Sequence, residues 1–333
     1  MSTMATLVLI QQMITRYALP IILTLGNIGN LFTIAIYSQK KQRGHSCAIY
    51  LIAISCFSLI GSNWAIVPTV YALDHFDLVS NSLVLCRIRG YMIHTCSMSF
   101  RYTLILFCAD RYAFCSRRVF IRALSRPQIA RRSVGILILV WCILSIHLLI
   151  FESIENRRCG VYGIYGQIFG YYVAICTGLI PIMSMTCFGL LLRRNLNQLH
   201  LQIQPLSGLN RLNRRDISFV QLALTEIIVY MICTVMYPAV TIYSQATSSM
   251  NSSKSAEQKQ IESFINFLAM SLLLYLNYNT TFYVHLIISK AFRRRFRDFI
   301  MTLIRKVTNQ TEVYQQNSVV ITSNVRQQQK KSS

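Results

Sequence analysis

The chain is poor in charge and poorer still in acid. Of its 333 residues only 13% are charged, about half of the ~25% usual for soluble domains. Eleven Asp and Glu stand against 33 Lys and Arg, for a formal net charge of +22. A membrane enzyme would need paired carboxylates, a nucleophile with a base, or a metal cluster. The few acids within the apolar stretches argue against the first of these, and no cluster of metal ligands accompanies them. A Gly-rich phosphate loop is also lacking, and the histidines (His45, His75, His94, His147, His200, His285) lie scattered. No enzymatic role, cofactor or metal is therefore expected. Arg101 and Glu226 are intramembrane charges that a transporter would also carry, but the chain lacks the repeated halves or broken helices of that class.

What is present is apolar. Hydrophobic residues make up 53% of the chain, and mean hydropathy is +0.43. They fall in long runs rather than in alternation. Spans are predicted near 17–38, 48–72, 86–112, 133–151, 170–192, 218–243 and 263–288. Each reaches the ~20 residues that a spanning helix needs. A signal peptide is discounted, because the first run lacks a basic leading region and ends at Lys40, Lys41 and Arg43. Basic residues crowd 40–43, 111–132, 193–215 and 290–306, while the opposite loops hold Asp74 and Asp77, then Glu152, Glu155, Arg157 and Arg158, then Lys254, Glu257, Lys259 and Glu262. Lys and Arg mark the cytoplasmic side. The expected fold is an all-α, seven-transmembrane-helix bundle with its N-terminus outside. Nucleic acid is an unlikely partner, because the basic residues flank the spans rather than line a soluble face.

Topology sorts the cysteines. Cys56, Cys96, Cys108, Cys142, Cys176, Cys187 and Cys233 fall inside spans, and Cys47 and Cys115 fall on the reducing side. Only Cys86 and Cys159 reach the outer face, so one disulfide is expected, tying the top of the third span to the loop after the fourth. Four regions follow: a short extracellular N-terminus (1–16), the transmembrane domain (17–288), an amphipathic cytosolic helix (289–306) and a disordered tail (307–333). In the third region Phe292, Phe296, Phe299, Ile300 and Leu303 form one stripe and Arg293, Arg294, Arg297 and Arg305 fill much of the rest. That pattern suits an anionic inner leaflet. Asn251-Ser252-Ser253 is a glycosylation sequon in an outer loop.

One triplet carries more than topology. Asp110-Arg111-Tyr112 closes the third span at its cytosolic end, and Cys86 opens it 25 residues earlier (111 − 86), about 37 Å along a helix. Gly29-Asn30, Trp141, Pro181, Pro238 and Phe292-Arg293 follow in register on other spans. Over residues 17–300 the chain resembles the rhodopsin-like (class A) G-protein-coupled receptors. Within that family Ala291-Phe292-Arg293 and the run from Trp141 to His147 look most like invertebrate neuropeptide and FMRFamide-receptor-like orphan receptors.

The resemblance implies a plasma-membrane receptor that transduces an extracellular ligand, expected to be a neuropeptide, to a heterotrimeric G protein, with arrestin and kinases as partners at the tail. A chemosensory receptor for a small molecule is the alternative. Asp110, Arg111, Tyr112 and Pro238 would carry activation, Arg111 held by Asp110 at rest. Tyr91, His94, Tyr237 and Tyr243 are candidate ligand contacts, each also readable as packing. Ile93 stands where amine receptors carry a carboxylate, and no Lys lies between Lys259 and Lys290, which excludes amines and retinal. Departures are clear too. Ser58 and Thr281 leave no carboxylate at the family's sodium position, and Ser218 replaces an acid that helps lock helix six. Arg101 and Glu226, at matching depths, are a candidate pair that would substitute for that lock.

Overall fold

A computed structural model describes residues 3–40, 42–116, 118–202, 214–247, 253–305 and 308. Its long helices in chain order are α1 (Met4–Tyr37), α2 (Ser46–Tyr71), α3 (Leu83–Phe114), α4 (Pro127–Phe151), α5 (Gly163–Asn195), α6 (Phe219–Ala246), α7 (Ala256–Ile288) and α8 (290–305). All except α3 and α8 are long and apolar enough to cross a membrane. The chain is an all-α membrane protein. Asn251 and the tail from 309 onward lie outside the described residues.

Helix α3 falls short on apolarity, not on length. It carries Arg87, Arg89, Arg101, Asp110 and Arg111 along 32 residues. It can do so because it packs against α2, α4, α5 and α6. Arg101, Asp110 and Arg111 are all buried, shielded by neighbouring helices. Hydropathy therefore undersells the helix at the centre of the bundle.

Prolines set the irregular turns. Pro20, Pro181 and Pro238 each lack an N–H and push on the carbonyl four residues back. The chain answers by widening or breaking the helix just upstream. In α1 a π-turn spans Ile14–Ala18, and the Leu19 N–H reaches back to the Ile14 carbonyl. In α5 the π-turn is Ala174–Leu179. In α6 the helix is interrupted at Val235, three residues before Pro238 (238 − 235). Helix α7 has its own π-turn, Leu268–Leu273, with no proline near it. Helices α5 and α6 approach closely where Gly178 meets Pro238, because a Cβ on that glycine would lie 2.5 Å from the proline Cβ.

Residues 3–13 are helical and form the first turns of α1. The run Met4–Ile10 offers nothing to stop a helix before the π-turn. The phenylalanine stripe of α8 also faces inward. Phe292 is fully buried against Tyr37 and Phe282, at ring separations of 6.1 and 5.6 Å, and Phe296 sits 5.3 Å from Phe32. Leu303 is exposed. Arg293 Nη1 donates to the Leu286 carbonyl at 3.1 Å, capping the orphan carbonyls at the end of α7.

The outer end is closed by a hairpin. Strands β1 (Ser153–Glu155) and β2 (Arg158–Gly160) pair antiparallel, with Ile154 opposite Cys159. Asn156 and Arg157 turn between them at φ 49° and 56°, the left-handed backbone that a two-residue hairpin turn requires. Cys159 is disulfide-bonded to Cys86 at a Cα separation of 5.6 Å, pinning β2 to the top of α3. The other cysteines are outside disulfides.

The bridge closes a sequence separation of 73 residues, so breaking it should cost about 2–5 kcal/mol. Cys159→Ser is expected to lower surface expression and the melting temperature. Peptide mapping without reductant should recover Cys86 linked to Cys159, and a recovered Cys159 thiol would refute the assignment.

Candidate functional site

Two constellations sit at opposite ends of α3. The outer one is a cavity of about 300 Å³ under the hairpin. Helix α3 supplies Arg89, Gly90, His94 and Arg101 to its wall; Glu152 and Cys159 roof it; Tyr237, Tyr275 and Tyr278 come from α6 and α7. Gly90 makes room for the roof. A Cβ there would lie 1.9 Å from a Glu152 carboxylate oxygen.

Glu152 is the cavity's acid. It is buried, and Oε2 has no hydrogen-bond partner. Its Oε1 lies 3.7 Å from the Cys159 sulfur. Cys86, Glu152 and Cys159 converge, but both sulfurs belong to the disulfide, so the cluster is a carboxylate against a disulfide rather than a metal centre. Loss of hydration pushes the Glu152 pKa from the ordinary 4.5 up to about 7, against the pull of Arg89 and Arg87. Arg89 is turned away to α2, where it donates to the Trp64 and Ala65 carbonyls and to Thr69.

At the cavity floor lies Arg101. It is 2% exposed, and its Nε and Nη1 find no hydrogen-bond partner. Its Cζ sits 5.7 Å from the centre of the Tyr278 ring. Tyr230 is hydrogen-bonded to it, and Tyr237 is a further polar neighbour.

The inner constellation is Asp110-Arg111. Arg111 Nε donates to Asp110 Oδ2 at 3.0 Å, and Nη2 donates to the same oxygen, to Ser46 Oγ at 3.0 Å and to Ser125 Oγ at 3.3 Å. Ser46 Oγ itself donates to Asp110 Oδ2 at 2.9 Å. Both charges are buried, so each hydrogen bond replaces hydration that burial removes. Phe219, at the inner end of α6, lies 5.9 Å from the Arg111 guanidinium and 4.6 Å from that of Arg295 on α8. Tyr112 points elsewhere, toward Phe188 at 6.2 Å.

Arg101 and Glu226 do not pair. Glu226 meets His285 instead, Oε1 to Nε2 at 2.8 Å, both buried. The distance is that of an ion pair when the imidazole is protonated, although the angle is not that of a hydrogen bond. Thr281 donates to Glu226 Oε2 at 3.5 Å. Matching depth on α3 and α6 does not fix which way each side chain turns. Glu226 turns to α7, and so a carboxylate does reach Thr281, from a helix the sequence comparison did not consider.

Of the candidate ligand contacts, His94 and Tyr237 line the cavity. Tyr91 does not: its hydroxyl donates to the Cys142 carbonyl on α4 at 3.3 Å. Tyr243 lies apart as well, donating to Glu262 at 3.0 Å. His94 belongs to an aromatic cluster with His147, Phe169 and Tyr172 that joins α3, α4 and α5. Sequence reasoning missed Glu152 as a cavity residue, because it reads as one of several loop acids. It also missed His285, whose only signal was a titratable residue inside an apolar span.

No protein-family model matches the chain, and a comparison with curated proteins finds no match either.

Glu152 gives a pH test. Its folded-state pKa lies above the unfolded value, so the native state binds the extra proton, and stability falls as pH rises from 4.5 to about 7. Above that the loss is complete. Glu152→Gln should remove this slope and melt above the wild type at pH 8. Parallel melting curves from pH 4.5 to 8 would contradict the assignment.

Proposed function

We propose that the chain is a seven-helix receptor of the rhodopsin-like kind, with α3 as its third span, that couples an extracellular ligand to a heterotrimeric G protein. The observation that carries this reading is that one helix holds both constellations. The upper part of α3 lines an outer cavity closed by a disulfide-pinned hairpin, and its lower end holds a buried Asp110-Arg111 cluster. The basic residues on alternate loops support an outside N-terminus. They also support a cytosolic α8 lying along the inner leaflet of the plasma membrane.

In this reading the described conformation is the resting one. Arg111 is held by Asp110, Ser46 and Ser125. Helix α6 is held at its inner end by Phe219 between two guanidiniums and by Glu226 against His285. No acid at position 218 is needed. A ligand acts by binding another conformation better, and a shift from 1:99 to 99:1 needs about 5.5 kcal/mol of differential affinity. The hinge is the break at Val235, on the inner side of Pro238. Its opening would release Arg111 to the G protein.

The ligand proposed from the resemblance is a neuropeptide. A cavity of about 300 Å³ lies at the small end of the ~300–1,000 Å³ range of ligand sites, so only the end of a peptide enters it. The same size favours the second reading, a receptor for a small molecule.

The test is basal second-messenger output on expression in cells. Phe219→Ala should raise basal output several-fold by loosening α6, and Arg111→Ala should bring it to the untransfected level at equal surface expression. Unchanged output in both variants would reject the receptor reading.

A further inference from the structure

We propose that the outer cavity takes an organic carboxylate whose charged group seats on Arg101. This rests on the reading of that cavity as the ligand site.

The warrant is an unpaired cation. Arg101 is 2% exposed, and two of its guanidinium nitrogens have no hydrogen-bond partner. No described carboxylate forms an ion pair with it. Tyr230 is its one hydrogen-bonded side chain, and a buried cation without a counter-charge is costly and marks a ligand or ion path. The residue also lines the cavity, so the vacant donors and an accessible volume coincide. A guanidinium presents paired N–H groups that match a carboxylate's two oxygens.

The surroundings select the rest of the ligand. Around Arg101 the wall offers the phenols of Tyr237, Tyr275 and Tyr278, while Ile93, Val173 and Leu274 are apolar. A compact acid with an apolar or aromatic body fits that lining. Glu152 sets its direction. It packs on Gly90, 11 residues above Arg101 on α3 (101 − 90), roughly 16 Å away along the axis. Where Glu152 is ionised it repels a second carboxylate, and Arg101 attracts one at any pH, so the acid group belongs at the floor and the apolar body toward the roof.

The experiment uses the full chain purified in detergent and measures melting temperature against added sodium benzoate, benzamide or sodium chloride at millimolar concentrations. Benzoate should raise the midpoint in a saturable way, and the neutral amide and chloride should not. Arg101→Met should be blind to benzoate and, having lost a buried charge with no counter-charge, should melt no lower than the wild type without it. Arg101→Lys keeps the charge but loses the fork, and should need about tenfold more benzoate, the weight of one charged hydrogen bond. This variant decides the matter if the methionine variant fails to fold. Glycylphenylalanine beside its C-terminal amide separates the sources: a larger shift from the dipeptide acid points to a peptide end, and a larger shift from benzoate to a free small acid.

Equal shifts from benzamide or chloride, no shift from benzoate, or a full shift in Arg101→Met would overturn the proposal. The melt needs no G protein. Carboxylate binding without any signalling phenotype in the Arg111 and Phe219 variants would leave this site standing and remove the receptor reading. The reverse pattern would do the opposite.

Discussion

The constraint on which the structure depends is the burial of charge along α3. Hydrocarbon cannot hydrate Arg101, Asp110 or Arg111, so every one of them must be covered by protein. Packing α2, α4, α5 and α6 around one helix meets that demand. Lipid-facing positions are then left to the apolar helices, whose exposed residues include Ile21, Leu139, Met183 and Ile232. The surface is greasy, and the interior, though mostly apolar, is where the charges sit. The two ends of α3 solve the same problem differently. At the inner end a neighbouring carboxylate and two serines satisfy the guanidinium. Midway, aromatic faces and phenols surround it but leave donors vacant.

Satisfied and unsatisfied charge have different mechanical meanings. A buried pair resists separation, because pulling one partner away leaves the other uncompensated, at a cost of ~3–5 kcal/mol. Asp110-Arg111 therefore acts as a fastener, holding α3 to α2 through Ser46, while Glu226 and His285 bring α6 and α7 into close contact. Outward of both, toward the disulfide-pinned hairpin, the helices are already loosened, since the turns upstream of Pro181 and Pro238 have surrendered regular hydrogen bonds. Stiff ends and soft middles confine any rearrangement to a few turns.

Much of this architecture was legible in the sequence, because it follows from hydropathy, charge and residue count. The apolar runs mark six helices that can span a membrane, and the sorting of cysteines by side of the membrane left Cys86 and Cys159 as the pair that forms. Elsewhere the same reasoning lacked the needed variable. Depth along a helix can be counted, but rotation about its axis cannot, and rotation sends Glu226 to His285 and Tyr91 to α4. Glu152 was hidden for another reason. Its burial depends on a glycine on a different helix, Gly90, that leaves space for its carboxylate.

The Arg101 guanidinium, without a counter-charge among the described residues, ties these points together. A charge buried in an apolar bundle carries a cost of at least ~2.5–3.5 kcal/mol on insertion scales, a sizeable share of the ~5–15 kcal/mol by which folded chains are stable. A methionine would fill similar space without it. The charge is tolerable only where the bundle around it is held by other means, and the disulfide above and the fastener and the α6–α7 contact below supply that. An anion arriving from outside would relieve the cost in whichever conformation lets it reach Arg101, and in no other. The differential affinity that a conformational switch requires would then come from strain already present at the cavity floor. A tight fit over the whole ligand would not be needed. That is also why a cavity of only about 300 Å³ suffices: one charged contact, made in a dry site and in one state, outweighs many apolar contacts made equally in both.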